Sequence, residues 1–124
     1  MKILIVDDSR FMRTIIKNSL KTRGFNDFDE ASNGLEALNK YKNTHYDYVT
    51  MDITMDTMNG LDSLKAIKEY DSNAKVIMVT SMGQKTLILE AIKYGAIDFI
   101  VKPFTNKVID ETIEKIKKNK VWKW

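Results

Sequence analysis

The sequence predicts a single α/β domain: a parallel sheet of five strands sandwiched by five helices. Two observations carry this. Five short apolar runs alternate with stretches whose apolar residues recur at helical spacing. The runs at 3–6 and 76–79 are also continuously apolar, which suits strands covered on both faces. Five β–α units in succession argue for right-handed crossovers that place helices on either side of the sheet. A chain of 124 residues is long enough for one domain with a real core and too short for two.

The elements follow in order. Residues 2–6, within MKILIVDDSR, form the first strand. Phe11, Met12, Ile15, Ile16 and Leu20 make a stripe of helical period, and Gly24 stops that helix. The second strand lies near 27–31. Asn33 stands three residues before Glu36, a capping-box pattern that opens the helix of Leu35, Leu38 and Tyr41. The third strand covers 48–51, and Leu61, Leu64 and Ile67 mark the helix after it. The fourth strand covers 76–79; its helix carries Ile88, Ala91 and Ile92 and ends at Gly95. The fifth strand covers 97–101, and Val108, Ile109, Thr112, Ile113 and Ile116 mark the last helix. There is no internal repeat and no low-complexity linker.

Composition narrows the function classes. The chain is 44% apolar and 30% charged, as in ordinary soluble domains. No apolar run approaches the roughly 20 residues of a membrane span, and the ILIV stretch is too short for a signal peptide. A cytoplasmic location and no membrane partner are the expectations. The absence of cysteine excludes disulfides, thiolate chemistry and cysteine-based zinc sites. The net charge of +3 comes from lysines spread along helices. That pattern reads as a solvated face, not a nucleic-acid surface. His45, the sole histidine, falls in a polar loop and is expected to be solvated; Met51, Met55 and Met58 are expected to pack.

Ligands of parallel α/β sheets bind beyond the carboxyl ends of the strands. The residues there form an unusual set: Asp7 and Asp8 after the first strand, Asp52 after the third, Thr80 and Ser81 after the fourth, and Lys102 after the fifth. Any one alone has a plain structural reading. A strand-end Asp or Ser9 can cap a helix, Thr80 can sit in a turn, and Lys102 can be surface charge. With strand one beside strand three, however, three carboxylates converge, and clustered hard oxygen ligands suit Mg²⁺. Asp8, Asp52 and the backbone carbonyl of Thr54 would ligate directly, and Asp7 through water. The acid pair would be tolerated because it lies at a solvent-accessible edge. Thr80, Ser81 and Lys102 would receive a phosphoryl group, and Asp52 would be the nucleophile that forms an aspartyl phosphate.

The set LIVDDS with a following FMR, MDITMDTMNG, VTSMG and GAIDFIVKPF, in this order and spacing, resembles the receiver domain of two-component response regulators, of the single-domain CheY-like chemotaxis type. The resemblance covers 1–119 and leaves 120–124 as a tail. It implies a flavodoxin-like fold with strand order 2-1-3-4-5, Asp52 as phosphoacceptor, Thr80 as switch hydroxyl, Phe99 as switch aromatic and a cis bond before Pro103. It implies that phosphorylation alters the surface of helix four, strand five and helix five, bordered by Lys85, Ile88, Phe99, Val101 and Lys102. Implied partners are a sensor histidine kinase, a flagellar motor switch protein and a phosphatase, with a monomer signalling by binding in trans and not acting as an enzyme.

Two positions depart from the family pattern. Asp56 stands where proline is usual, which frees the loop and adds an anion near the site. Met82 stands where a polar group is frequent, so hydrolysis of the aspartyl phosphate is expected to lack assistance there. In the tail, Val121, Trp122 and Trp124 are expected to pack on the domain, with a partner contact as the alternative. Competing readings are a phosphorelay shuttle, an aspartate-based phosphohydrolase and a flavin-binding protein. Thr54 argues against the hydrolase, because it occupies the position of the second acid such enzymes use. Asp7 and Asp8 argue against the flavin protein, because they repel a phosphate.

Overall fold

The structure is a computed structural model that describes residues 1–81 and 83–118. Met82 and the residues Val121, Trp122 and Trp124 therefore lie outside the described part. Strands β1 (Lys2–Val6), β2 (Asp27–Ala31), β3 (Tyr48–Asp52), β4 (Val76–Ser81) and β5 (Asp98–Lys102) alternate with helices α1 (Arg10–Lys21), α2 (Gly34–Asn43), α3 (Gly60–Tyr70), α4 (Lys85–Lys93) and α5 (Asn106–Lys117). The strands form one sheet of order β2-β1-β3-β4-β5, and every neighbouring pair is parallel. This is the order that the resemblance implies. Among the described residues no helix is long and apolar enough to cross a membrane.

Strand alternation divides the core in two. Leu4, Val6, Val49, Met51, Val76 and Met78 point to the face covered by α2, α3 and α4, where they meet Leu38, Leu64, Ile67 and Ala91. Ile3, Ile5, Ile77, Val79 and Ile100 point to the other face, against Ile16 and Leu20 of α1 and Ile109, Ile113 and Ile116 of α5. Ser9, Asn33, Asn59 and Thr105 cap α1, α2, α3 and α5 by accepting a backbone N–H with their side chains. The capping box at α2 is present in a shifted form: Asn33 accepts from the Glu36 N–H, and Glu36 accepts from the N–H of Ser32. Met51 and Met55 are buried, and His45 is exposed, as expected.

Three apolar residues assigned to the helical stripes are exposed at the surface. Phe11 is 74% exposed, and Leu35 and Val108 are also exposed. All three lie in the first turn of their helices. These helices start beyond the carboxyl edge of the sheet, and helical side chains tilt toward the helix N-terminus, so first-turn residues overhang that edge. In α1 the buried position goes instead to Ser19, whose hydroxyl donates to Asn106 Oδ1 at 2.5 Å and ties α1 to α5.

Strands three to five also end later than their apolar runs suggest. Asp52 pairs with Val79, Thr80 with Val101 and Ser81 with Lys102. Asp52, Thr80, Ser81 and Lys102 are thus the last rungs of the ladder instead of the loop residues that follow it. Backbone pairing extends past the point where hydropathy falls, because the ladder bonds are indifferent to side-chain polarity.

The loop from β3 to α3 is pressed between these elements. The Gly60 N–H donates to the Ile53 carbonyl at 2.7 Å, and a Cβ on Gly60 would stand 1.9 Å from the carbonyl oxygen of Asp52. Only glycine permits that approach. Gly60→Ala is expected to cost about 2 kcal/mol, the scale of forced overpacking, and to displace the end of β3. Chemical denaturation reads the first effect; unchanged stability would show that the loop yields. Within the same loop Ile53 and Met55 are buried, Asp56 is exposed, and Thr57 adopts φ 69°. Asp56 accepts the Met58 N–H at 2.8 Å, which closes a tight turn around Thr57. The loop is therefore held by two buried apolar anchors although it lacks the proline.

Candidate functional site

The site is assembled where β1, β3, β4 and β5 end. The Asp7 N–H donates to the Ala31 carbonyl at 3.1 Å, which continues the β1–β2 pairing by one residue. Asp7 Oδ1 accepts the Ser9 N–H at 2.9 Å, and Ser9 in turn caps α1. Arg13 donates to the Asp7 carbonyl at 2.7 Å and to Glu30 Oε1 at 2.8 Å. These contacts bury Asp7 to 1% exposure, while Asp8 stays exposed. The sequence reading placed both acids at a solvent edge, and for Asp7 the structure corrects it. A turn that caps the helix points the first acid inward and the second outward.

The β1–β3 register, with Val6 opposite Met51, brings the Asp7 side chain to Asp52. Carboxylate oxygens of Asp7, Asp8 and Asp52 lie within 4.8 Å of one another. The Lys102 ammonium reaches in from β5, 3.0 Å from Asp7 Oδ2 and 3.4 Å from Asp52 Oδ1. The bond between Lys102 and Pro103 is cis, as the resemblance implied.

The charges do not balance: three carboxylates face one ammonium. Burial and the charge of Asp7 raise the Asp52 carboxyl from 3.8 to about 6, against the opposing pull of Lys102. Burial raises the Asp8 carboxyl as well, and Asp7 and Asp56 add to it. Asp56, in place of the usual proline, thus acts on the site as an added anion. At Lys102 burial favours the neutral amine, but the hydrogen bond to Asp7 and the charges of Asp52 and Asp7 prevail, and its affinity for the proton rises. The excess of negative charge and the all-oxygen donor set fit a hard divalent cation.

On the other side of Asp52, Thr80 is fully buried. Its hydroxyl donates to Gln84 Oε1 at 2.5 Å. The same oxygen accepts the Ser81 N–H at 2.8 Å, and Gln84 Nε2 donates to Thr54 Oγ1 at 2.7 Å. Gln84 was missed by sequence reasoning. It is the residue before α4 and the N-cap position, yet it makes no side-chain cap bond and turns back to β3 and β4. The available signal was a long amide standing where a short capping residue is expected.

The remaining predicted residues form a surface next to the site and not part of it. Lys85 is exposed and Ile88 half-buried on α4, while Phe99 and Val101 are half-buried on β5. Phe99 packs against the core on the α2–α4 face, as does Leu87. In α4 only Ala91 is fully buried, so the apolar residues of this helix lie largely at the surface, with Leu89 60% exposed.

Comparison with known proteins agrees with this geometry. Residues 3–114 match the family model of the response regulator receiver domain. The chemotaxis protein CheY of Thermotoga maritima is 49% identical over 117 residues, spanning 94% of this chain and 98% of that protein. The CheY of Listeria monocytogenes is 52% identical over 118 residues, 95% of this chain and 99% of that protein. Among solved structures, a CheX–CheY–BeF3–Mg²⁺ complex from Borrelia burgdorferi superposes with a TM-score of 0.90 at 39% identity, covering 94% of this chain and 89% of the matched one. A matching family model over most of the chain, relatives near half identity and the same sheet with its acids gathered at one edge lead to one conclusion: the chain belongs to the response regulator receiver domain family, as a CheY-like member.

Proposed function

We propose that this protein is a chemotaxis signalling switch that takes a phosphoryl group onto Asp52 from a phosphohistidine of a sensor kinase. The observation that carries the reading is the gathering of Asp7, Asp8 and Asp52 within 4.8 Å with the Lys102 ammonium 3.4 Å from Asp52. Asp8, Asp52 and the Thr54 carbonyl would hold Mg²⁺, with Asp7 acting through water. When bound, the ion neutralises charge on the phosphoryl oxygens. An Asp52 oxygen attacks phosphorus, the P–N bond to the kinase imidazole breaks, and its electron pair returns to the ring. Lys102 stabilises the added negative charge, and Thr80 and the Ser81 N–H donate to the phosphoryl oxygens.

Such a modification adds charge and acceptors at the sheet edge, and Thr80 turns toward them. Phe99 then moves inward and the α4–β5–α5 surface bordered by Lys85, Ile88 and Val101 changes shape, in a shift between states populated beforehand. Output follows from binding a flagellar motor switch protein in trans, and a phosphatase resets the switch. On this reading the chain is a signalling protein and not an enzyme acting on other molecules. Intact-mass analysis after incubation with acetyl phosphate and Mg²⁺ tests it. Wild type is expected to gain one phosphoryl group and Asp52→Ala none; equal labelling of both would move the acceptor elsewhere.

A further inference from the structure

We infer that Gln84 is a latch that holds Thr80 in its resting position and joins the phosphorylation site to the start of α4. The inference rests on the switch reading above. A threonine hydroxyl has one proton to donate. In this structure Thr80 gives it to Gln84 Oε1 at 2.5 Å. It cannot donate there and to a phosphoryl oxygen at once, so taking up that group must break the Thr80–Gln84 bond. The bond is buried on the threonine side, where water has no access to replace it.

The amide is held at its other end as well. Its Nε2 donates to Thr54 Oγ1 and its Oε1 accepts the Ser81 N–H, so the side chain spans the ends of β3 and β4. Its backbone carbonyl accepts the Ile88 N–H at 3.0 Å, the first turn of α4. One residue therefore carries the resting bond of the switch hydroxyl on its side chain and the first helical bond of α4 on its main chain. α4 is the lightly buried helix whose N-terminus has no side-chain cap. Loss of the Thr80 bond leaves Gln84 with one partner fewer and frees the segment that begins the helix. Gln84 is a positioning residue: it acts through Thr80, not on the reacting atoms.

Gln84→Met keeps the length of the side chain and removes its hydrogen bonds. In a ¹H–¹⁵N NMR titration with beryllofluoride at saturating Mg²⁺, Gln84→Met is expected to bind the mimic roughly three- to tenfold more tightly than wild type, the worth of one resting-state hydrogen bond. Its unliganded Lys85, Thr86 and Leu87 amide signals should lie displaced toward their beryllofluoride-bound positions. In a Thr80→Ala background the same substitution should give a clearly smaller gain, because no hydroxyl remains to be latched and only the Ser81 N–H is released from Gln84. A gain of equal size in both backgrounds, or no gain in either, overturns the latch. Failure of wild type itself to bind the mimic overturns the switch reading and the latch with it, and the wild-type titration separates the two cases.

Discussion

Lys102→Ala is expected to slow phosphoryl uptake from acetyl phosphate roughly a hundredfold, the usual cost of losing one charge-stabilising donor. It is also expected to destabilise the magnesium-free protein by about 3 kcal/mol. The two effects have separate causes. The first is the loss of the ammonium 3.4 Å from Asp52 as charge builds on the transferring group. The second arises at Asp7, which is 1% exposed and would lose the ammonium while keeping the Ser9 N–H as a partner for its charge. Breaking a buried pair by removing one member strands the other in a medium that solvates it poorly. Adding Asp7→Asn to Lys102→Ala should therefore restore most of the stability without restoring uptake. Guanidinium denaturation and intact-mass kinetics on the single and double variants check this. A Lys102→Ala protein of wild-type stability would mean that water reaches Asp7 after all.

Asp52→Asn should stabilise the magnesium-free protein above pH 7 by about 3 kcal/mol, at 1.36 kcal/mol for each pH unit by which the carboxyl is shifted. The sign follows from the direction of that shift. In the unfolded chain the carboxyl loses its proton near its ordinary value of 3.8; in the folded protein it keeps it to about 6. Between those values the folded state binds more protons, so stability is greatest at the acid end and falls as pH rises through the window. Above pH 6 the ionised group sits beside Asp7 at full cost, and an uncharged asparagine does not. Asp8 is shifted in the same direction, so the informative quantity is the difference between wild type and variant measured from pH 4.5 to 8. Curves of equal slope would show that Asp52 is better solvated than its 7% exposure suggests. Mg²⁺ must displace the same proton, so its affinity should weaken below pH 6, with proton release on binding measurable by calorimetry in buffers of different ionisation enthalpy.

Much of this molecule was legible from residue order. The alternation of apolar runs with helical stripes indicated all ten elements, and Asn33 and Glu36 marked the start of α2. Misreadings cluster at the carboxyl edge of the sheet. Phe11, Leu35 and Val108 fit the helical period yet overhang that edge, and Asp52, Thr80 and Lys102 are strand residues that hydropathy places in loops. Periodicity reports which face of a helix is apolar; it carries no information on where the sheet beneath that helix stops.

The residue types that the phosphoryl-transfer reading uses, and the apolar run after which each comes, were written in the order of the chain. That much follows from local rules, since each acid, hydroxyl or amine simply succeeds an apolar run. Which acid turns inward, how the Lys102 ammonium divides itself between Asp7 and Asp52, and that Gln84 claims the Thr80 hydroxyl came from the folded molecule alone. Those partners stand between 4 and 95 positions apart in sequence. Burial and hydrogen bonding depend on distances through space, which are set by strand register and packing of the whole sheet and not by any neighbouring stretch of chain.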